Sequence, residues 1–276
     1  MAHGGAPTRI LIVTRPPLQA AQWVQSLLAL GLDARALPLI DIGPPLDPAA
    51  AAASWTRLAA YSLVMFVSAN AVHHFFAAAQ GAPWPASTRA GSTGPGTSAA
   101  LLEAGVPPER IVAPAADAPR FDSEALWALL ADEDWSGRRV LVVRGEDGRD
   151  WLADTLRARD AQVDFVVAYR RLVPRLDLES LALLAASQAE PDRHLWVFSS
   201  SEAVGHLRDV LAPGADWSRS RALASHPRIG AAAREAGFGC VDLVAPTVAA
   251  LAAALSADGG PHETEARDGR WPLDTI

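Results

Sequence analysis

The chain has 276 residues, of which 50% are hydrophobic and 20% are charged, and this balance excludes a globally disordered protein. Its 24 basic residues are all arginine and are outnumbered by 31 acidic residues, so the formal net charge is −7. The negative charge argues against nucleic acid or an acidic membrane surface as a partner, and the lack of lysine excludes pyridoxal-phosphate enzymes and P-loop NTPases.

Apolar runs of about five residues alternate with helical-period segments, which is the pattern of parallel strands covered by helices. In the first half, strands are predicted near 9–14, 62–67, 87–92 and 110–113, and helices near 18–30, 49–60, 69–80, 97–104 and 123–131. In the second half, strands are predicted near 138–144, 163–168, 194–199, 221–225 and 241–244, and helices near 149–159, 177–188, 201–211, 228–236 and 247–256. The predicted fold class is therefore α/β.

The two halves contain copies of one unit. The run Ile10–Arg15 matches Val140–Gly145, and Leu63–Val72 matches Leu195–Val204 at nearly the same offset. Shorter matches at this offset follow further along both halves. Such a repeat predicts two similar lobes, which the repeat alone would place one after the other along the chain.

Two extended stretches closed by proline, 38–45 and 167–174, occupy matching places in the copies. They predict linker strands that form a bipartite connection between the lobes. After Ala257 the composition changes to glycine, proline and charged residues, which predicts a flexible tail over 258–276.

Several further features indicate a cytoplasmic protein. The single cysteine, Cys240, cannot form an intramolecular disulfide, and Met1 to Thr8 lack the basic and apolar regions of a secretory signal. No apolar run reaches the roughly 18–20 residues of a membrane span. The histidines lack metal-ligand spacing, so we expect no metal site.

Small and polar loops follow the predicted strands, where open α/β sheets bind their ligands. Helix N-termini at such loops present free N–H groups and attract anions without needing lysine. For any single loop residue, capping of the helix is the better explanation, and the argument for a site depends on the loops as a set. The two loop arginines, Arg15 and Arg144, are equally well explained as surface charges. The loop Gly94–Thr97 lacks the full glycine spacing and the acidic residue of a dinucleotide site.

An ordered set of short motifs resembles the uroporphyrinogen-III synthase family. The motifs are Ile10–Pro16, Phe66–Val72, Gly94–Thr97, Ser123–Leu126 and Ala168–Arg170. Their order and spacing match that family across roughly residues 9 to 256. Each motif is permissive alone, whereas the ordered set together with the repeat is specific.

The resemblance implies a cofactor-free cytosolic enzyme of tetrapyrrole biosynthesis. It would cyclise the linear tetrapyrrole hydroxymethylbilane to uroporphyrinogen III, with loss of water and inversion of the last pyrrole ring through a spiro intermediate. It also implies two α/β lobes with an active-site cleft between them. One lobe would be discontinuous, 1–37 with 175–257, and the other would be 46–166, joined by the two linker strands. We also expect a monomer.

The resemblance and the loops together give the candidate site. Tyr169 is the expected acid, because a tyrosine hydroxyl stays protonated at neutral pH and can donate to the departing hydroxyl of the bilane. The expected substrate-binding residues are Thr14, Arg15, Ser68, Asn70, Gly94, Thr97, Arg144, Gly145, Ser199, Ser200 and Arg228. Packing between lobes explains Tyr169 equally well, and a buried water is an alternative acid.

One departure from the family pattern concerns the second copy of the glycine loop. Ile229 stands where a second threonine is expected, so that contact does not carry over, and Ser225, His226 or Arg228 are its possible replacements. Two other functions stay open at this point. One is a two-lobed ligand-binding or regulatory protein without catalysis, and the other is a nucleotide-sugar transferase.

Overall fold

A computed structural model describes residues 9–115, 118, 120–146 and 148–257. Within these ranges the strands are β1 (Ile10–Val13), β2 (Ala34–Ala36), β3 (Asp41–Gly43), β4 (Leu63–Phe66), β5 (Arg89–Ser92), β6 (Ile111–Val112), β7 (Arg139–Gly145), β8 (Gln162–Leu172), β9 (His194–Phe198), β10 (Arg221–Ala224) and β11 (Cys240–Leu243). The flexible tail predicted over 258–276 lies outside the described residues.

Helices follow most of the strands. They are α1 (Pro17–Ala29), α2 (Pro48–Trp55), α3 (Ala69–Ala77), α4 (Pro95–Glu103), α5 (Ser123–Ala128), α6 (Trp151–Arg157), α7 (Leu178–Ala189), α8 (Ser201–His206), α9 (Pro227–Glu235) and α10 (Val248–Ala257). Short 3₁₀ turns lie at Leu58–Ala60, Pro108–Arg110 and Pro191–Arg193, and α8 runs on into a π-helical turn, Leu207–Leu211. Of the helices described, none is both long and apolar enough to cross a membrane.

The chain divides into two compact units, the first of which is discontinuous. This first unit contains the residues up to Ile40 and those from Val173 onward, and the second unit is Asp41–Leu172. The first strand and helix therefore join the C-terminal half. The sequential arrangement that the repeat alone suggested is wrong. The predicted linkers 38–45 and 167–174 span the two limits between the units.

The sheet of the first unit has five strands in the order β11-β10-β9-β1-β2, and every pair is parallel. The sheet of the second unit has six strands in the order β3-β8-β7-β4-β5-β6. All of its pairs are parallel except β3 with β8, which is antiparallel. The antiparallel pair lies within the two stretches predicted as linker strands, 38–45 and 167–174, and the other strands of the second sheet are parallel, as the predicted fold class requires.

The repeat in the sequence corresponds to equivalent places in the two sheets. β9 and β4 contain the matching apolar runs, and each lies beside the strand from the other matching pair, β1 in one sheet and β7 in the other. The order β11-β10-β9-β1-β2 thus parallels β6-β5-β4-β7-β8. The internal repeat is therefore a structural repeat, with β1 exchanged into the unit formed by the C-terminal half.

Both faces of each sheet are buried, as parallel sheets require. In β4, Val64 and Phe66 belong to one apolar cluster, and Leu63 and Met65 belong to another. This alternation follows from the two-residue period of a strand. In the first unit, Trp196 lies in a cluster of four aromatic rings with Phe198, Trp217 and Phe238.

Two elements differ from the sequence predictions. β2 was not predicted, because Ala34–Ala36 is a three-residue edge strand without a β-branched or aromatic residue. The helix predicted over 49–60 ends at Trp55, whose indole N–H donates to the Phe75 carbonyl at 2.7 Å. β3 lies within the predicted linker strand 38–45, and it pairs with the end of β8 within the predicted linker strand 167–174.

Candidate functional site

The candidate residues lie at or just beyond the carboxyl ends of the strands, with the exception of Tyr169, which lies within β8. The first unit contains Thr14, Arg15, Ser199, Ser200 and Arg228, and the second contains Ser68, Asn70, Gly94, Thr97, Arg144, Gly145 and Tyr169. Because neighbouring strands are parallel, their carboxyl ends meet at one edge of each sheet. The structure thus gathers the candidates of each unit at one sheet edge.

Tyr169 is buried, with 3% of its surface exposed, and its hydroxyl lies 3.1 Å from the Ser68 hydroxyl. A β-bulge between Arg144 and Gly145 places Gly145 opposite Tyr169 in the pairing of β7 with β8. A Cβ atom at Gly145 would come within 3.1 Å of the tyrosine ring. The glycine therefore leaves the space that the ring occupies.

Ser68 has a second role as the cap of α3. Its hydroxyl oxygen accepts a hydrogen bond from the Ala71 N–H at 3.2 Å, which satisfies one of the free donors of the first turn. The capping interpretation is thus correct for Ser68, and the same oxygen also contacts the candidate acid. Asn70 and Thr97 are both largely buried, in the first turns of α3 and α4.

The ring of His74 lies beside Tyr169, with the two ring centroids 6.0 Å apart. Burial and the neighbouring His73 lower the pKa of His74, so its imidazole is neutral at pH 7. The sequence analysis considered this histidine only as a metal ligand. His74 is six residues after Ser68, a spacing that does not place two side chains on one face of a helix, so the sequence contained no signal for this contact.

Serine side chains form hydrogen bonds within the loop before α4 and with the first turn of the helix. The Ser92 hydroxyl donates to the Gly94 carbonyl at 2.9 Å and accepts from the Ser98 hydroxyl at 3.0 Å. Gly94 is the N-cap of α4, and a Cβ atom there would lie 3.1 Å from the Cβ of Phe121. Phe121 is 45% exposed, so an aromatic ring borders this loop.

The two loop arginines, which the sequence placed at matching positions, have different surroundings. Arg144 is largely buried and forms an ion pair with Asp150, and its guanidinium lies 4.9 Å from the centre of the Phe165 ring. Asp150 is half exposed, so this ion pair lies close to the protein surface. An internal carboxylate already neutralises its charge.

Arg15 has an aromatic neighbour instead of a carboxylate. Its guanidinium lies 4.0 Å from the centre of the Trp23 ring, and its buried Nε has no hydrogen-bond partner. Burial lowers the pKa of this guanidinium to about 10. This pKa is still well above 7, so Arg15 is positively charged at neutral pH, and among the described residues no carboxylate pairs with it.

Thr14 and Ser200, two further candidates of the first unit, differ in whether their hydroxyl groups are free to bind a ligand. Thr14 is buried and its hydroxyl donates to the Val197 carbonyl at 2.7 Å, so its proton is already used between β1 and β9. Ser200 is the N-cap of α8 but makes no capping hydrogen bond with its side chain. The neighbouring Ser201 hydroxyl is buried without a partner.

The loop before α9 and the first turn of this helix lie where the family pattern predicts a second threonine. Ile229 is buried with 6% exposure and packs as a core residue. His226 caps the helix, with its Nδ1 accepting a hydrogen bond from the Arg228 N–H at 3.1 Å. Arg228 itself is exposed. The helix start is therefore capped by an imidazole, and Arg228 provides the charge at this edge.

The chain is similar to proteins of one family. The family model described as Uroporphyrinogen-III synthase HemD matches residues 21–253. Uroporphyrinogen-III synthase of Salmonella typhimurium is 31% identical over 174 residues, which is 60% of this chain and 67% of the relative. The enzyme of the same name from Escherichia coli is 32% identical over 171 residues, with coverage of 60% and 67%.

Two solved structures share the fold. A mutant uroporphyrinogen III synthase from Thermus thermophilus has a TM-score of 0.52 at 17% identity and covers 90% of this chain and 98% of its own. Uroporphyrinogen-III synthetase from Helicobacter pylori has a TM-score of 0.55 at 16% identity, with coverage of 90% and 99%. At these identities the likeness concerns the architecture of the two α/β units.

Proposed function

We propose that this chain, which belongs to the uroporphyrinogen-III synthase family, binds hydroxymethylbilane at the carboxyl edges of its sheets and uses Tyr169 to start ring closure. The chain is a cyclising lyase of tetrapyrrole biosynthesis that forms uroporphyrinogen III. The residues that perform the reaction are the part proposed here. The observation that carries their assignment is the Tyr169–Ser68 hydroxyl pair at 3.1 Å.

The reaction first requires the loss of the terminal hydroxyl of the bilane as water. The C–O bond breaks as a proton reaches the departing oxygen, and the lone pair of the pyrrole nitrogen forms the azafulvenium cation. Loss of the N–H proton of this cation gives the neutral azafulvene and returns one proton, so the acid is regenerated. A general acid therefore has to donate one proton at that oxygen. The Tyr169 hydroxyl can donate this proton while its oxygen accepts a hydrogen bond from the Ser68 hydroxyl. A serine hydroxyl suits this position because it can act as a hydrogen-bond donor.

After water has left, the terminal ring attacks to close the macrocycle through the spiro intermediate, and ring inversion follows. These carbon–carbon steps need the substrate to be held in a bent conformation more than they need further acids. The shape of the bound substrate therefore decides the isomer, while the acid decides the rate. Tyr169 is assigned only to the loss of water.

Binding of the substrate requires partners for its acetate and propionate carboxylates. Arg15 and Arg228 are charged and have no carboxylate partner among the described residues, and they suit this role in the first unit. In the second unit the first turns of α3 and α4 supply backbone N–H groups beside Ser68 and Gly94. Arg144 is a weaker candidate because Asp150 competes for its guanidinium.

The assembly and location of the enzyme belong to the same proposal. We expect a monomer in the cytoplasm that needs neither metal nor cofactor. The lone cysteine and the negative net charge support a protein of a reducing compartment with a small-molecule substrate. In the part of the chain that the structure describes, three or more metal-ligating side chains are not grouped together.

The decisive test is a cyclisation assay on freshly prepared hydroxymethylbilane, with the products oxidised and separated as isomers I and III. Closure without ring inversion gives isomer I, so the expected result is isomer III that increases with enzyme concentration. If the protein binds the oxidised product, uroporphyrin III, but the isomers match the protein-free reaction, a non-catalytic ligand-binding protein is the correct alternative. Saturable binding of a nucleotide sugar would instead support a transferase.

A further inference from the structure

The charge of Arg15 is not neutralised within the described part of the first unit. The partly buried arginines Arg89 and Arg144 both face carboxylates, Glu133 and Asp150. Arg15 faces only the Trp23 ring. An aromatic face attracts a cation but carries no net charge, so it leaves the positive charge of the guanidinium in place.

Burying the charge of Arg15 without a counter-ion costs free energy. The buried Nε of Arg15, which has no hydrogen-bond partner, adds to that cost. Such a cost is understandable at a site where a ligand supplies the missing anion. Arg15 lies in the loop between β1 and α1, two residues beyond the end of β1 and at the carboxyl edge of its sheet. The position therefore fits an anion that arrives with the substrate.

Trp23 is held in place independently of Arg15. It lies in α1 and packs against the apolar cluster that contains Leu11, Leu27 and Leu251. A ring fixed by the core can restrict the long arginine side chain that lies on it. Restricting that side chain before binding reduces the conformational entropy that would otherwise be lost when a carboxylate binds.

We propose that Trp23 is a positioning residue for substrate binding, because its ring holds the Arg15 guanidinium ready for a substrate carboxylate. The inference rests on the proposed function and adds to it a residue outside the polar loops. Trp23 acts through Arg15 and contacts no reacting atom. The ligand class is a carboxylate of the tetrapyrrole, which the planar guanidinium can bind through two hydrogen bonds.

The test is a double-mutant cycle of Trp23→Leu and Arg15→Gln, with kcat and KM measured for hydroxymethylbilane. Trp23→Leu should raise KM about 3- to 30-fold, the size of one cation–π contact, with kcat within about twofold. In the Arg15→Gln background the same change should alter KM less than about twofold, because the group that Trp23 positions is gone. Trp23→Tyr should restore most of the affinity.

Trp127→Leu is the matched control, since Trp127 also packs against a core cluster and lies 5.4 Å from the Arg159 guanidinium, in the other unit. It should leave KM unchanged, and thermal unfolding shows which variants fold. The inference is overturned if Trp23→Leu raises KM equally with and without Arg15, or no more than Trp127→Leu does.

A second measurement separates this inference from the proposed function. The wild type, the two single variants Trp23→Leu and Arg15→Gln, and the double variant are titrated with uroporphyrin III, and binding is followed by porphyrin absorbance. If the wild-type chain forms no isomer III, the proposed function has failed, and the porphyrin cycle still tests Trp23 alone. Equal affinity of Trp23→Leu and wild type in that titration overturns the positioning role even if the enzyme is active.

Discussion

The hydroxyl of Tyr169 can be removed without changing the packing of its ring. Tyr169→Phe should lower kcat about 10²-fold, the low end for loss of a general acid, because the departing hydroxyl then receives its proton from water. The remaining enzymatic product should still be isomer III, since the shape of the bound substrate decides ring inversion. Single-turnover rates and isomer separation measure both effects.

The second tyrosine of the chain is the matched control. Tyr61 is equally buried, and its hydroxyl donates to Asp164 at 2.7 Å, near the amino ends of β4 and β7. Tyr61→Phe should therefore reduce stability while leaving kcat within about twofold. If Tyr169→Phe turns over like the wild type, Tyr169 has only a packing role.

Gly145 tests the position of the same ring. In Gly145→Ala the new methyl group would lie 3.1 Å from two ring carbons of Tyr169 and 3.3 Å from its hydroxyl oxygen, so the ring has to move. We expect kcat to fall about tenfold, because catalytic groups displaced by a fraction of an ångström lose efficiency. Gly205→Ala in α8, where nothing lies within 4 Å of the added atom, should leave kcat unchanged. Equal kcat values for both variants would contradict the positional argument.

Single residues also show where the sequence was insufficient. Ser68 and Tyr169 lie in motifs far apart in the chain, and only the pairing of β4, β7 and β8 brings their hydroxyls together. The different states of Arg15 and Arg144 depend on Trp23 and Asp150, whose positions follow from helix packing and loop geometry. Residue type and spacing identified the candidates, whereas their pairing required the tertiary structure.

At the level of elements, strong periodicity was sufficient for the long buried segments. β4 and β9, for example, lie within one residue of their predicted limits, because continuous apolar runs flanked by polar loops have few other interpretations. β2 was missed because an edge strand of three residues depends on its neighbour β1 for hydrogen bonds. The early end of α2 was missed because Trp55 is anchored by a carbonyl from α3.

The start of β5 is tied to the loop between α5 and β7 by ionic contacts. Arg89 donates two hydrogen bonds of 2.7 Å to Glu133, and Arg138 adds a third at 3.2 Å. The hydrogen bonds from Arg89 are the main cause that holds the pKa of Glu133 below its ordinary value. The folded state therefore binds this proton less readily than the unfolded chain does.

This shift has a defined consequence for acid stability. The contribution of Glu133 is fully present above the pKa of an unfolded glutamate, about 4.3, and is lost as the pH falls through the lower folded value. Glu133→Gln should reduce stability at pH 7 by about 1 kcal/mol and flatten the fall of Tm below pH 5. Asp192→Asn, which removes an exposed ion pair with Arg219, should change neither. An unchanged acid limb in Glu133→Gln would contradict this assignment.

On the scale of the whole molecule, the two units differ in how the chain builds them. The second unit, Asp41–Leu172, is continuous and contains all six strands of its sheet. The first unit depends on β1, an interior strand of its sheet that lies between β9 and the edge strand β2. Leu11, Ile12 and Val13 are almost completely buried there. Without β1, β9 would keep β10 but lose its other neighbour, together with the core contacts that Leu11 and Val13 make.

We therefore expect the fragment 41–172 to fold alone and the fragment 173–257 to remain largely unfolded. Loss of three buried aliphatic side chains and one interior strand costs several kcal/mol, comparable to the whole stability of a small domain, about 5–15 kcal/mol. Far-UV circular dichroism with thermal unfolding should show a cooperative transition only for 41–172. Adding residues 1–40 in trans, or fusing them ahead of 173–257 through a glycine-rich linker, should restore a cooperative transition to the second fragment. A cooperative transition of 173–257 by itself would show that β1 is dispensable, and failure of 41–172 to fold would show that the continuous unit depends on the rest of the chain.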